Sequence, residues 1–297
     1  MLKLHDWVNI DKIDWAGLSS NQNAIELLKL NKDKIDWDIL STNLNAIELL
    51  KENQDKINWI ALSFNPNAIE LLKENQENIN WILLSENSNA ISLLKENQDR
   101  INWENLTNNT NLNAISLLKE NINKINWNYL SLNPNAISLL KENQDKINWT
   151  FLSENINAME LLKKNQDKIN WNRLSTNLNA MELLNQNQDK INWNLLSVNS
   201  NAIELLKKNQ DKINWRFLSK NQNAMNILKE NQDKIDWFIF SQNPSIFTYD
   251  YQKMKEKMKN SGIVEELMAF IFDPKNMDKW IDWGFEEHNE MLKFINE

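Results

Sequence analysis

The chain has 297 residues, 41% of them hydrophobic and 25% charged, enough for two ordinary domains or one long repeat array. It holds no Cys, which excludes disulfide scaffolds, Cys-based zinc sites and thiol nucleophiles. A formal net charge of −8 disfavours a phosphate-backbone ligand, and three Gly with four Pro are few for a loop-rich fold.

In chain order, Met1-Leu2-Lys3-Leu4-His5-Asp6-Trp7 lacks the apolar core of a secretory leader, and no apolar run approaches ~18 residues. No membrane is expected, and a cytoplasmic location is. Residues 1–14, with Trp7, predict an N-terminal cap. Trp then recurs at 15, 37, 59, 81, 103, 127, 149, 171, 193, 215 and 237. Every interval is 22 residues except the one from 103 to 127, which is 24, and the two extra residues are expected within Thr107-Asn108-Asn109-Thr110. A fixed period of this size means stacked supersecondary units, each burying its apolar face on its neighbours.

One unit is read from Asn58 to Gln76. Asn58 precedes Trp59, and its equivalents are always Asn or Asp, residues whose short side chains cap a helix N-terminus. A short helix from Trp59 to about Phe64 follows. Asn65 caps a second helix, with Pro66 at the first helical position, where its missing N–H does no harm. Ala68, Ile69, Leu71 and Leu72 make the apolar stripe of that helix. It ends near Asn75, expected in a left-handed C-cap; Gln76 to Asn78 turn the chain and Ile79 anchors the next entry. The leucine-rich-repeat pattern does not fit, because Asn65 arrives two residues early and no strand alternation is present. The prediction is all-α: a right-handed-type α-solenoid of about ten 22-residue two-helix repeats over 15–244, with a helical C-terminal cap. At ~8–10 Å per helix layer, such a stack is a curved rod on the order of 80–100 Å long.

The first helix divides into a constant and a varied side. Trp, Leu and Ser scarcely change. The position after Trp reads Asp38, Ile60, Ile82, Glu104, Asn128, Thr150, Asn172, Asn194, Arg216, Phe238, and the next two varied positions include Leu83, Tyr129, Phe151, Arg173, Phe217, Phe64 and Lys220. The exposed side of the second helix stays bland, as in Glu70, Lys73 and Glu74. A constant scaffold with one diversified ridge suits a modular binding surface, and exposed Phe, Tyr and Arg dominate protein interfaces. The candidate partner-binding residues are Ile60, Phe64, Ile82, Leu83, Tyr129, Phe151, Arg173, Arg216, Phe217 and Lys220. Drift on a solvent face would leave the same variation. The Trp stripe, as a stacking platform for nucleic acid, is a poorer reading than Trp as core, for which Trp59→Ala should cost about 3–5 kcal/mol. The Asn series is explained by caps and inter-repeat hydrogen bonds rather than by ligand reading.

No catalytic, cofactor or metal residue is predicted. His5 and His288 lie at opposite ends of the chain, and no phosphate loop or nucleophile elbow is present. Carboxylates such as Glu70 and Asp55 recur identically, which gives many equal sites rather than one tuned pocket.

The period fails after Trp237. Asn243-Pro244 begins another unit, but Ser245 replaces its second Asn, and the chain moves into Phe247-Thr248-Tyr249-Asp250-Tyr251. Residues 245–297, with a helical run over 264–272 and an Asp273-Pro274 helix start, predict the C-terminal cap.

The unit Asn-Pro-Asn-Ala-Ile-x-Leu-Leu, with Ile-x-Trp-x-x-Leu-Ser, resembles the short tandem repeat proteins encoded in many copies by giant DNA viruses of protists. Tyr249-Asp250-Tyr251, Met254-Lys255, Glu265-Glu266-Leu267 and Phe272-Asp273-Pro274-Lys275 are similar to the ending those proteins share. This chain has Glu, Ser or Gln at many places where that family keeps Pro. The resemblance implies a viral origin, host-cell cytoplasm and a repeat scaffold; it transfers no site. The expected function is a non-catalytic scaffold that binds a host or viral protein along the ridge, without a small-molecule substrate. Two alternatives are self-assembly in a particle or filament, and weak nucleic-acid binding through Arg173, Arg216 and Lys220.

Overall fold

The computed structural model describes residues 1–262 together with 266, 269 and 270. The chain divides into two units, one of residues 4–247 and one of residues 1–3 with the chain from Thr248 onward. The first is an all-α solenoid of 22-residue, two-helix repeats. The eleven Trp positions number its repeats 1 to 11.

Repeat 3 shows why this sequence makes this unit. The Asn58 side chain accepts the Ala61 N–H at 3.0 Å and starts the first helix, Trp59–Phe64. The Asn65 side chain accepts the Asn67 N–H and starts a 3-10 turn over Pro66–Ala68, which feeds the second helix, Ile69–Glu74. That helix ends differently from the expected left-handed cap. Asn75 has φ −133°, and no non-Gly residue among those described has positive φ. The Asn75 side-chain amide donates to Leu71 O at 2.8 Å, so a terminal carbonyl is satisfied without a left-handed turn. A 3-10 turn over Gln76–Asn78 then leads to buried Ile79.

The joints between repeats use the same three polar side chains, except that Thr107 replaces the Ser in repeat 5 and Ser245 the second Asn in repeat 11. The Ser63 hydroxyl donates to Trp59 O at 2.8 Å and accepts the Asn80 N–H of the next repeat at 2.9 Å. Asn87, 1% exposed, donates its amide to Ser63 O and Asn65 O of the repeat before it. Asn89 donates to Pro66 O. Around them Leu62, Leu72, Ala68 and their equivalents are buried. Among the described residues no buried side-chain nitrogen or oxygen lacks a partner, as a buried polar ladder requires.

The array is not an open rod. Repeat 1 packs on repeat 11 through the same bonds that join sequence neighbours. The Asp14 N–H donates to the Ser241 hydroxyl at 2.9 Å, Asn21 donates to Ser241 O and Asn243 O at 2.9 Å each, and Asn23 donates to Pro244 O at 3.0 Å. Repeat 11 is a composite of both ends of this unit. Trp237 to Phe247 supply its first helix and turn, but no second helix follows. The N-terminal segment supplies the rest: His5 N–H donates to Ile246 O, Trp7 packs on Phe240 with ring centroids 5.6 Å apart, and Ile10–Lys12 form the closing 3-10 turn. The two ends, each expected to need its own cover, meet and complete one another. The ~8–10 Å layer spacing that predicts a rod then becomes a circumference, and eleven layers give a first-helix ring on the order of 30 Å across.

The first helices form the inner row of this ring. Trp59–Phe64 and Trp81–Glu86 lie closely side by side, whereas second helices of the same length, Ile69–Glu74 and Ile91–Glu96, stand further apart. In a closed ring the more closely spaced row is the inner one. The outer row is bridged instead by long side chains, as in Lys141–Glu160 and Lys163–Glu182 at 2.6 Å.

Repeat 5 absorbs its two extra residues between Asn109 and Ala114, later than the expected 107–110, because Thr107 and Asn109 keep their regular joint positions. Asn109 keeps the buried ladder position, and Asn111 caps a continuous second helix, Leu112–Glu120, that replaces the usual turn and helix.

In the second unit Asp250 N–H donates to Met1 O at 3.1 Å. Leu2–Leu4 and Phe247–Tyr249 pair as a two-stranded sheet, which the sequence reading did not anticipate. The Asp250 side chain caps the helix Tyr251–Asn260, none of whose residues is buried. The Asp273-Pro274 helix start and most of the 264–272 run lie outside the described residues.

Candidate binding face

The varied ridge lies on the inner wall, because the constant side of each first helix is taken up by the joints. Leu62 and Ser63 are fully buried, while Ile60, Ile82 and Phe64 are 59%, 53% and 47% exposed. Arg173, Arg216, Phe217 and Lys220 are exposed, Tyr129 borders on it, and Leu83 and Phe151 are half-buried. The ten predicted residues therefore share a wall but do not converge on one point. Tyr129, Phe151 and Arg173 form a chain across three repeats: the rings of Tyr129 and Phe151 are 6.3 Å apart, and the Arg173 guanidinium lies 5.5 Å from the Phe151 ring. Arg173 also pairs with Glu154 at 2.7 Å, and Arg216 pairs with Asp236 at 3.6 Å.

The Trp stripe is neither open platform nor full core. Each Trp of the array is half-buried, with one side on the apolar core. Over ten of the eleven rings lies a Lys or Arg, 4.0 to 5.4 Å from the ring centroid. In nine cases it comes from the 3-10 turn ahead of the next repeat, as Lys56 covers Trp37. At the ring closure Lys12 covers Trp237. The partial exposure lowers the expected loss on Trp59→Ala below the full-burial range. The near-invariant Lys of the Asp-Lys-Ile run was a signal that could have revealed this cover.

Two adjoining cavities open on the ridge near the irregular repeat. One, of about 340 Å³, is lined by Leu44, Phe64 and Pro66; the other, of about 270 Å³, by Tyr129, Leu132, Pro134 and Phe151. They share Glu86, Asn108 and Thr110. Burial pushes the Glu86 carboxyl above the usual carboxylate range, against hydrogen bonds from Asn105 and Asn108 that favour its charge. Glu86, Leu44 and Leu132 were not among the predicted residues, although Glu86 and Leu132 stand at varied positions of the same ridge.

No family model, curated protein or solved structure matches this chain. Among the described residues no three His, Asp or Glu side chains gather as metal ligands, and no helix is long and apolar enough to cross a membrane.

Proposed function

We propose that the protein is a non-catalytic scaffold whose closed repeat unit holds another protein against its inner wall. One observation carries this reading. Eleven joints repeat the same buried hydrogen bonds, while the wall between them varies and leaves large apolar side chains such as Ile60, Phe64 and Phe217 in solvent. Such side chains on a rigid frame are what a protein interface uses as anchors. The resemblance of the repeat and the tail favours a viral or host protein as partner.

The two alternatives draw less support. End-to-end growth of an array needs a free repeat face at each end, and here those faces cover one another. A nucleic-acid surface needs available cations, and of Arg173, Arg216 and Lys220 the two Arg are engaged by carboxylates.

The test is capture of partners from native lysate with the tagged full-length protein, beside an Ile60→Ser, Phe217→Ser variant. Both side chains are exposed, so the variant should keep the fold, checked by circular dichroism. Loss of a captured protein with the variant supports the reading. Equal capture by both baits removes it.

A further inference from the structure

The ridge shows in repeat 7 how it holds a cation, and in repeat 4 the same arrangement with the cation missing. Glu154 stands at the sixth position of repeat 7, counted from Trp149, and nineteen residues on, Arg173 reaches back to pair with it. The guanidinium also lies against the Phe151 ring. A carboxylate and an aromatic face thus hold one Arg between them, the two interactions that planar guanidinium chemistry favours.

Glu86 stands at the sixth position of repeat 4, and nineteen residues on from it is Asn105. Asn105 and Asn108 face the carboxylate only as neutral amides that favour its charge, and no ion pair to Glu86 forms among the described residues. Its surroundings are apolar on both sides. Phe64, Leu44 and Pro66 line the cavity on one flank, and Tyr129, Leu132 and Phe151 line the cavity on the other. Among the described residues Glu86 is the only acidic or basic one lining either cavity. A half-buried carboxylate in apolar surroundings is unfavourable in isolation and gains most from a charged donor that enters with its own apolar flanks.

We infer that the two cavities form one groove for an extended protein segment that presents an arginine between apolar side chains, with Glu86 taking the guanidinium as Glu154 takes Arg173. The inference rests on the scaffold reading and names the chemistry of its partner. The arginine replaces the missing internal cation, and the flanking side chains fill the space beside Phe64 and beside Tyr129. Because the Glu86 carboxyl titrates above its ordinary value, affinity for such a segment is full where the carboxyl is ionised and falls as pH drops through that raised value.

The experiment is selection of a displayed random dodecapeptide library on the immobilised full-length protein. The enriched peptides are then synthesised and titrated by fluorescence polarisation. The expected consensus is an arginine with apolar residues on both sides. Glu86→Gln, which keeps the shape and the amide contacts, should weaken binding roughly tenfold or more, in the range of a hydrogen bond to a charged group. Asn105→Arg should abolish binding by supplying the internal cation, with the circular dichroism spectrum unchanged. Replacing the peptide arginine by lysine should weaken binding less than replacing it by glutamine. Failure to enrich any peptide overturns the inference. So do enriched peptides without arginine, or equal affinity for the wild-type protein and Glu86→Gln. These outcomes leave the scaffold reading standing, since capture with the Ile60, Phe217 variant decides that separately.

Discussion

At the joint between repeats 6 and 7, Asn155 reaches back to Ser131 O and Asn133 O, Ser131 accepts the Asn148 N–H, and Lys146 covers Trp127. At the joint between repeats 11 and 1, Asn21, Ser241 and Lys12 make the corresponding contacts. The difference is connectivity. The first joint is spanned by continuous chain, so its partners stay close even when its bonds break. The second joins residues more than two hundred positions apart, and only the curvature of the other ten joints brings them together. The seam also carries devices that interior joints lack: Trp7 against Phe240, and a Gly at position 17 where other repeats have a side chain. A Cβ at Gly17 would meet Phe238 O at 2.6 Å. Closure is thus supported by the general joint chemistry and tightened by a few residues particular to the ends.

The sharpest way to break this equivalence is to delete residues 1–14, which removes the N-terminal share of repeat 11. The ring should open, seen as a larger radius of gyration in small-angle scattering. Stability should fall by at least about 3 kcal/mol, the low end for loss of one large aromatic from a core. An unchanged radius would mean that curvature alone keeps the ring shut.

Next in size is the loss of one ladder Asn. Asn21→Ala and Asn155→Ala each leave two buried carbonyls without a donor, a loss of about 2–6 kcal/mol at roughly 1–3 per stranded group. Denaturant titration should give similar values for the two. Hydrogen exchange should separate them: Asn21→Ala should speed exchange in repeats 1 and 11 together, while Asn155→Ala should act within one joint. Equal exchange patterns would show that the seam opens no more readily than any other joint.

Gly17→Ala tests the tight approach. Overpacking against a backbone oxygen should cost about 1–3 kcal/mol, offset by up to about 1 kcal/mol gained in helix propensity. The net expectation is a modest fall in Tm, and a rise would mean that Phe238 yields easily. Smallest is Asn78→Lys. Among the array Trp residues Trp59 is the one without a cation over its ring, and Asn78 stands where the others have Lys or Arg. Supplying the cation should add about 0.5–1 kcal/mol, read from the denaturation midpoint.

The period, the two helices and their Asn caps were legible in the sequence because each is local: capping chemistry and apolar spacing act within a few residues. Closure was not, since it depends on the small turn made at every joint, summed over eleven of them, and no single repeat displays that sum. One trace was present. Asn9-Ile10-Asp11-Lys12-Ile13-Asp14 spells the end of a repeat before the first Trp of the array, while the last repeat stops short after Asn243-Pro244. An unfinished start and an unfinished end of complementary kind fit one another. The ridge was legible as variation, but the groove was not, because Glu86 matters through its cavity and the absence of an Arg173 equivalent, and both are relations between repeats.

Eleven joints that close a circle each turn the chain by about 33°, and ten or twelve would need only about 3° more or less per joint. A strain so thinly spread makes copy number an adjustable quantity. Gain or loss of one 66-nucleotide segment of the gene would resize the opening and rotate the groove against the rest of the wall, while every buried contact kept its form. Diversity in such a protein can then arise by changing the circumference as readily as by changing a side chain.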